Sequence, residues 1–277
     1  THSIFFYPSV STFTSAATVL VIMAMGLSSC YFRLSDDAKK QFKYDLRYRI
    51  SDSGGKIDTV TRNVGEFHSI DIGNDLILNT TILVQTKDEF KVEVIAYDYL
   101  IDSIHATNDN GVLRIYNGKY KSKIQGMTQV RVYAPMVSDI TNRGGGSIRL
   151  SDYKGDSLNV ETVGSGNLIA FNLKISGKLT IRGTGSGDHE FRHVTAGEMV
   201  IDKKGSGDGE YSDLNIGTLS VTSTGSGDAT LSGKADSVTF HKSGSGDIDA
   251  SELKAKSVKT QESGSGDLIV NDESINK

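Results

Sequence analysis

The sequence has almost no cysteine, proline or tryptophan: its 277 residues include one cysteine, two prolines and no tryptophan. A single cysteine excludes an internal disulfide framework and a cysteine-rich zinc site. So few prolines exclude polyproline and collagen-like structure. The sequence also lacks a long basic run, and its formal net charge is −4. Because the electrostatic footprint of a nucleic-acid-binding protein is missing, we do not expect nucleic acid as a partner.

Glycine, in contrast, is abundant, with 30 residues. Hydrophobic residues make up 37% of the chain and charged residues 23%, which is the composition of a folded protein and not of a disordered one. Many glycines in a folded chain with few prolines predict tight turns or close approaches of the backbone.

The N-terminal segment resembles a bacterial lipoprotein signal peptide. Residues 1–29 contain no Lys, Arg, Asp or Glu, and the apolar run AATVLVIMAMGL at 16–27 suits the h-region of such a signal better than a membrane span. The tetrapeptide LSSC that follows ends at Cys30 and resembles the lipobox, in which the cysteine is diacylated. We therefore predict a signal peptide at 1–29 and lipidation of Cys30. The alternative is a buried helix that ends in a free cysteine.

Lipidation would make this chain an outer membrane lipoprotein that faces the periplasm or the cell surface. The lipid would be the contact with the membrane, because acyl chains contribute about 0.8 kcal/mol for each buried CH₂. Residues 30–60 are polar, mixed in charge and weakly periodic, which predicts a tether between the lipid and the folded body.

A repeat of about 20 residues organises the rest of the chain. The marker GSG(D/N) begins at positions 164, 185, 205, 225, 244 and 264, and the run GGGS at 144–147 is a degenerate copy one period earlier. Short segments with apolar residues at every second position lie between the markers, which indicates strands. A 20-residue unit with two or three strands of three to five residues cannot bury its apolar face alone, but stacked units can.

The repeat thus predicts an all-β fold, a β-helix (β-solenoid) whose coils stack about 4.8 Å apart. We assign residues 144–277 to regular coils and residues 61–143 to irregular first coils or a cap. Strands are expected in this cap at 69–72, 81–84, 90–94, 112–116 and 129–133, with a turn at the run NDNG, 108–111. The C-terminal coil offers an end or edge through which a homo-oligomer is possible.

Each marker contributes two glycines, which we predict to supply positive φ in a turn while the Ser and Asp side chains bond to local backbone N–H groups. The glycines are Gly164, Gly166, Gly185, Gly187, Gly205, Gly207, Gly225, Gly227, Gly244, Gly246, Gly264 and Gly266. The acidic residues of the markers would form a column after Asn167, namely Asp188, Asp208, Asp228, Asp247 and Asp267. A calcium site on this column is an alternative, because hard cations prefer carboxylate and carbonyl oxygens. No other cofactor is expected.

Two stretches and the markers together resemble a known family. The run FHSIDIGNDLILNTTILVQTKDEFKVEVIAYDYLIDSIHATNDNGVLRIYN at 67–117, the run VRVYAPMVSDITNRGGGSIRL at 130–150 and the GSG(D/N) coils are similar to the putative auto-transporter adhesin head GIN-domain family. The resemblance extends over residues 64–270. It implies a right-handed β-helix and an exported protein or lipoprotein of Bacteroidetes-like bacteria, and it brings no catalytic residues.

Three classes of function are consistent with a solenoid. Some β-helical proteins cleave acidic polysaccharides with clustered aspartates, but here the aspartates recur once in every coil, as a structural rule would demand. His189 and His193 are four residues apart, a spacing that crosses a corner in β-structure and disfavours a metal pair. We therefore expect a protein that is not an enzyme and that binds an extracellular glycan or protein ligand. An envelope scaffold without a specific ligand is the alternative.

Overall fold

The computed structural model describes residues 55–73, 80–118 and 128–271. The chain divides into two units, Thr1–Lys56 and Ile57–Lys277, and the architecture below is that of the second. The predicted signal peptide, Cys30 and most of the predicted tether lie outside the described residues. In the part of the chain that is described, no helix is both long enough and apolar enough to cross a membrane.

The described residues of the second unit are almost entirely β-strand. The N-terminal elements are β1 (Ile57–Arg62), β2 (Ser69–Ile72), β3 (Thr80–Gln85), β4 (Lys91–Tyr97), α1 (Asp98–Ile101), β5 (Ile104–Asp109), β6 (Val112–Asn117), β7 (Thr128–Ala134), β8 (Asp139–Asn142) and β9 (Ser147–Ser151). The following elements are β10 (Lys154–Gly164), β11 (Leu168–Gly185), β12 (His189–Gly205), β13 (Gly209–Gly225), β14 (Ala229–Gly244), β15 (Ile248–Gly264) and β16 (Leu268–Val270).

The strands from β10 onward form the predicted β-solenoid. Each coil pairs in parallel with the next, and each residue lies beside the equivalent residue of the neighbouring coil. One inward row illustrates the register: Leu179, Met199, Leu219, Val238 and Val258. Together with the N-terminal coils the solenoid has about seven turns.

Each regular coil has three straight runs separated by three corners. In β12 the inward residues of the runs are apolar with two exceptions, His189 and Lys203, and the corners lie at His193, at Gly197 and at the GSGD marker. In β11 to β13 the inward apolar side chains are less than 5% exposed, and they stack along the solenoid axis. Since burying one large apolar side chain contributes roughly 1.5–3 kcal/mol, this axial core is the main source of stability.

The strands are longer than the sequence predicts. Strands β11 to β15 contain 16 to 18 residues, whereas the sequence pattern indicated segments of three to five. The corner residues themselves, such as His193 and Gly197, drop out of the pairing, but the residues on both sides of each corner stay in register with the next coil. Each strand therefore extends past two corners and ends only at the marker.

The N-terminal coils do not stack in chain order. Strand β2 lies between β6 and β8, and β3 lies between β7 and β9, all in parallel pairs. The coil built by β6 and β7 is therefore farther from the regular coils than the earlier coil built by β2 and β3. The first coil of the chain therefore lies between the second coil and the regular coils.

Antiparallel strands cover the outermost coil. Strand β5 pairs with β6 through the turn at Asn110 and Gly111, both of which have positive φ, while β4 pairs with β7 and β1 with β4. The N-terminal end of the ladder is thus capped, as exposed strand edges invite pairing with other chains. Strand β1 begins at Ile57, inside the segment assigned to the tether, because its backbone is needed to pair with β4.

Two rows of glycine set the marker corner. The first glycine of each marker has φ between 99° and 137°, a region that L side chains rarely adopt. The second glycine has no positive φ, contrary to the prediction from sequence. It is required for space, because a Cβ atom at Gly207 would lie within 3.0 Å of the backbone oxygen of Gly187 in the preceding coil.

Replacement of the second glycine should therefore destabilise the solenoid although its φ is ordinary. We expect Gly207→Ala to lower the free energy of unfolding by about 2 kcal/mol, because the neighbouring backbone must move away. Chemical denaturation followed by circular dichroism measures the change. The control is Ser206→Ala, at an exposed position of the same turn, which should stay within about 0.5 kcal/mol of the wild type. Equal stability of the two variants would contradict this account of the corner.

Candidate functional site

The acidic residues of the markers form a ladder that joins one coil to the next. The backbone N–H of Asp208 donates to Oδ1 of Asp188 at 2.9 Å, and the N–H of Asp228 donates to Oδ1 of Asp208 at 3.0 Å. Asn167 begins the ladder by accepting from the N–H of Asp188, and Asp247 and Asp267 continue it. The expectation that these side chains bond within their own turn is wrong. At this tight corner the backbone hydrogen bonds between coils are interrupted, and a carboxylate oxygen accepts the N–H group in place of a backbone carbonyl.

This geometry bears on the predicted calcium site. The Oδ1 atoms of Asp188, Asp208, Asp228 and Asp247 each accept an N–H group and are correspondingly less available to a cation. Among the described residues, no group of three His, Cys, Asp or Glu side chains converges in a way that could hold a metal ion.

A second set of polar residues lies inside the same corner, two positions before the first glycine of the marker. Lys203 and Lys242 are only 7% and 3% exposed. Their Nζ atoms donate to the carbonyl oxygens of Gly207 and Gly266, the second glycines of two markers. Asn142 donates in the same way to Gly146 at 2.7 Å. These side chains satisfy inward-facing carbonyl groups that the turn leaves without a strand partner.

Lys203 and the aspartate ladder are electrostatically linked. Burial lowers the pKa of Lys203 to about 8, and the nearby charges of Asp208, Asp188 and Asp228 oppose that shift. The aspartates therefore have a second role, since they keep an ammonium group charged inside the corner. In the sequence the position two residues before the marker is occupied by Thr162, Gly183, Lys203, Ser223, Lys242 and Glu262. Because only two of these are lysines, the row gave no signal for a buried ammonium group.

His189 belongs to a buried cluster in the same part of the solenoid. Burial, with a further contribution from the charge of Lys203, lowers the pKa of the His189 ring to about 3, so the ring is neutral at physiological pH. Its Nε2 lies 3.1 Å from Oγ1 of Thr162, and its Nδ1 lies 3.3 Å from the hydroxyl of Tyr211. Burial also raises the pKa of Tyr211, which is therefore protonated and able to donate to the ring. His193 lies outside, at a corner, where its Nδ1 is 3.2 Å from Asp213, so the two histidines do not form a pair.

A third periodic row, which the sequence reasoning missed, marks the corner of His193. Non-glycine residues with φ between 53° and 56° occupy it in four coils, and a glycine with φ of 118° in a fifth. The row consists of Asp152, Asn172, His193, Asp213 and Gly233. Asn, Asp and Gly adopt this conformation most readily, so their recurrence every 20 or 21 residues was a readable signal.

A groove of about 1020 Å³ crosses the coils from β11 to β15; we call it the axial groove. Its lining includes a row of small or aliphatic residues whose side chains face the core and which, apart from Ala255, are at most 6% exposed: Ile175, Ala196, Ile216, Ala235 and Ala255. One rim consists of Thr195, Asn215, Lys234 and Lys254, and the other of Ser176, Gly197, Gly217, Asp236 and Lys256. The groove extends over four coil spacings, roughly 19 Å.

Glycine keeps this groove open. A Cβ atom at Gly197 would lie within 3.0 Å of the backbone oxygen of Ser176, and one at Gly217 within 3.0 Å of the oxygen of Gly197. Side chains are therefore excluded from this corner in the central coils. Asp236 and Lys256 replace glycine in the last two coils, where their charged atoms pair at 2.6 Å and their side chains are 64% and 80% exposed.

A smaller groove of about 300 Å³ lies on another run of the solenoid and has the opposite charge. Its lining includes Glu210, Asp249 and Glu252 beside several serines. Hydrogen bonds from Ser251 lower the pKa of Asp249. The two grooves thus offer a basic and an acidic surface on different sides of the same coils.

The ladder predicts a difference between two substitutions of its first member. Asn167→Ala removes the acceptor of the Asp188 N–H and should lower the free energy of unfolding by about 1 kcal/mol. Asn167→Asp keeps an oxygen in place and copies the other coils, so its loss should be clearly smaller. Denaturant unfolding of the two variants measures the difference, and equal losses would contradict a role of the side chain in joining the coils.

Comparison with known proteins agrees with this architecture. The family model described as "Putative auto-transporter adhesin, head GIN domain" matches residues 66–228 and 173–275. No curated protein matches the sequence.

Several solved structures share the fold. A putative adhesin from Bacteroides fragilis is 21% identical with a TM-score of 0.63, and the match covers 77% of this chain and 96% of that one. A putative lipid binding protein from Parabacteroides distasonis is 16% identical with a TM-score of 0.60, covering 78% and 94%. A putative adhesin from the same species is 19% identical with a TM-score of 0.60, covering 77% and 96%. At these identities the likeness establishes the fold. Since the family model spans well over half of the chain, the protein belongs to the putative auto-transporter adhesin, head GIN domain family.

Proposed function

We propose that this protein is an adhesin-like lipoprotein of the bacterial cell envelope that binds an extracellular glycan or protein ligand through the outer surface of its solenoid. The observation that carries the proposal is the axial groove, a continuous concave surface that crosses β11 to β15. Ligand sites are typically concave and present a few polar groups that fix the ligand's orientation, and the axial groove is concave with polar side chains on both rims.

Family membership and the role of the aspartates support binding over catalysis. The family is described in terms of adhesins, and the recurrent aspartates serve to connect coils through backbone N–H groups. A catalytic carboxylate pair needs a constellation that differs from the repeat. We accordingly propose that the protein is not an enzyme.

A scaffold without a specific ligand is the second candidate, and the positions of the tyrosines favour it. Tyr97, Tyr153 and Tyr211 are at most 6% exposed, so they cannot contribute to a binding face. Tyr99 is 60% exposed, but it lies on α1 in the N-terminal part and not in the axial groove.

The two candidates differ in their behaviour on an array of glycans and extracellular matrix proteins. We expect the purified protein to show saturable binding to at least one ligand class, and heat-denatured protein to show none. The array is probed with calcium and with a chelator, and loss of the signal in chelator would assign a metal to the binding site. If a sample with the circular dichroism spectrum of a folded β-sheet protein binds no ligand on the array, this result would contradict the binding function and favour the scaffold.

Membrane attachment is expected to depend on Cys30. In cells fed an alkyne-tagged fatty acid, the wild-type protein should carry the label and sediment with membranes, whereas Cys30→Ala should lose the label and appear in the soluble fraction. The matched control is Ser29→Ala, which keeps a small residue before the cysteine and should behave as the wild type. A Cys30→Ala variant that still carries the label would exclude this residue as the lipidation site.

A further inference from the structure

The direction of the axial groove limits what can bind in it. The groove crosses the strands, and the backbone groups of β11 to β14 are already paired with the coils on either side. An extended peptide therefore cannot join the sheet as an added strand, which is the usual way in which a β-sheet recognises a peptide. The ligand must be recognised by side chains.

The side chains of the rims mainly donate hydrogen bonds. Thr195 and Asn215 offer a hydroxyl and an amide in the central coils, and Lys234, Lys254 and Lys256 offer ammonium groups in the last two. The three lysines face one aspartate, so the charged lining has a net charge of +2. Such a surface complements a ligand that has hydroxyl groups and negative charges.

Aromatic residues are missing from the described lining of the axial groove. A neutral sugar chain would consequently find no ring on which to stack. Lys234 and Lys254 lie in adjacent coils, about 4.8 Å apart along the axis, and Lys256 lies in the same coil as Lys254. The Lys256–Asp236 pair is exposed and weak. A ligand carboxylate can therefore replace Asp236 as the partner of Lys256.

We propose that the axial groove binds an acidic polysaccharide, whose chain lies along the solenoid axis with its carboxylates on Lys234, Lys254 and Lys256 and its hydroxyl groups on Asn215 and Thr195. This inference rests on the proposed binding function and names the ligand class. The acidic groove on the other side of the coils repels the same polymer, which restricts binding to one side.

The test uses polygalacturonic acid as the probe and neutral dextran as its uncharged counterpart, with binding to the immobilised protein followed by interferometry. The groove variant combines Lys234→Asn, Lys254→Thr and Lys256→Gln. The first two substitutions copy Asn215 and Thr195 of the same row, so the coils should remain folded. The control variant combines Lys154→Gln, Lys204→Gln and Lys259→Gln, which removes the same charge at exposed positions outside the groove.

We expect the groove variant to bind polygalacturonic acid at least about tenfold more weakly than the wild type, and the control variant to stay within about twofold. Added salt should weaken binding of the wild type more than that of the groove variant, because ion pairs are screened. Circular dichroism verifies the fold of each variant, and Lys254→Thr alone should give a smaller loss in the same direction.

The inference would be overturned if the groove and control variants lost equal affinity for polygalacturonic acid, or if the folded groove variant kept wild-type affinity. It would also be overturned if dextran bound as well as polygalacturonic acid, or if these lysines were needed only for binding to vesicles of phosphatidylglycerol. A wild-type protein that binds another ligand on the array but not polygalacturonic acid would overturn this inference and leave the proposed function intact. A protein that binds nothing on the array would overturn both.

Discussion

The close approach of successive backbones at the marker corner is the contact on which the rest of the solenoid depends. The first glycine of each marker adopts a φ that other residues avoid, and the second leaves space for the carbonyl of the preceding coil. Only with both glycines present can equivalent residues of adjacent coils remain about one strand spacing apart. The long ladders from β11 to β15, and the axial core that they enclose, follow from that spacing.

A tight corner leaves polar backbone groups on both of its sides, and the chain satisfies them with opposite charges. Outside, Oδ1 of one aspartate accepts the N–H of the next coil; inside, Lys203 and Lys242 donate to glycine carbonyls. A buried ammonium group alone would be costly, since burial lowers the pKa of Lys203. The surrounding aspartates reduce this cost. The row of carboxylates that the sequence shows therefore also compensates the charge of the buried Lys203.

The same repeat that stabilises the fold also organises its surface. Because every coil places equivalent residues in one row, a single substitution changes the chemistry of a row at a defined height along the axis. The axial groove shows this clearly: Gly197 and Gly217 keep its centre free of side chains, while Asp236 and Lys256 add charge at its C-terminal end. The chemistry of the surface can thus vary between coils while the glycines and inward apolar residues that hold the coils together remain.

The sequence by itself determined the β-solenoid, the coil length of about 20 residues and the positions of the turns. Strands β2, β3, β4, β6 and β7 also lie where the alternating pattern predicts them, because alternation and turn chemistry are properties of short segments. Only the tertiary structure decided that β2 and β3 lie between later coils, that Asp188 accepts from Asp208, and that Lys203 is buried. The axial groove was likewise invisible in the sequence. Each of these features depends on which distant segments become neighbours across the stack, and a local pattern does not contain that information.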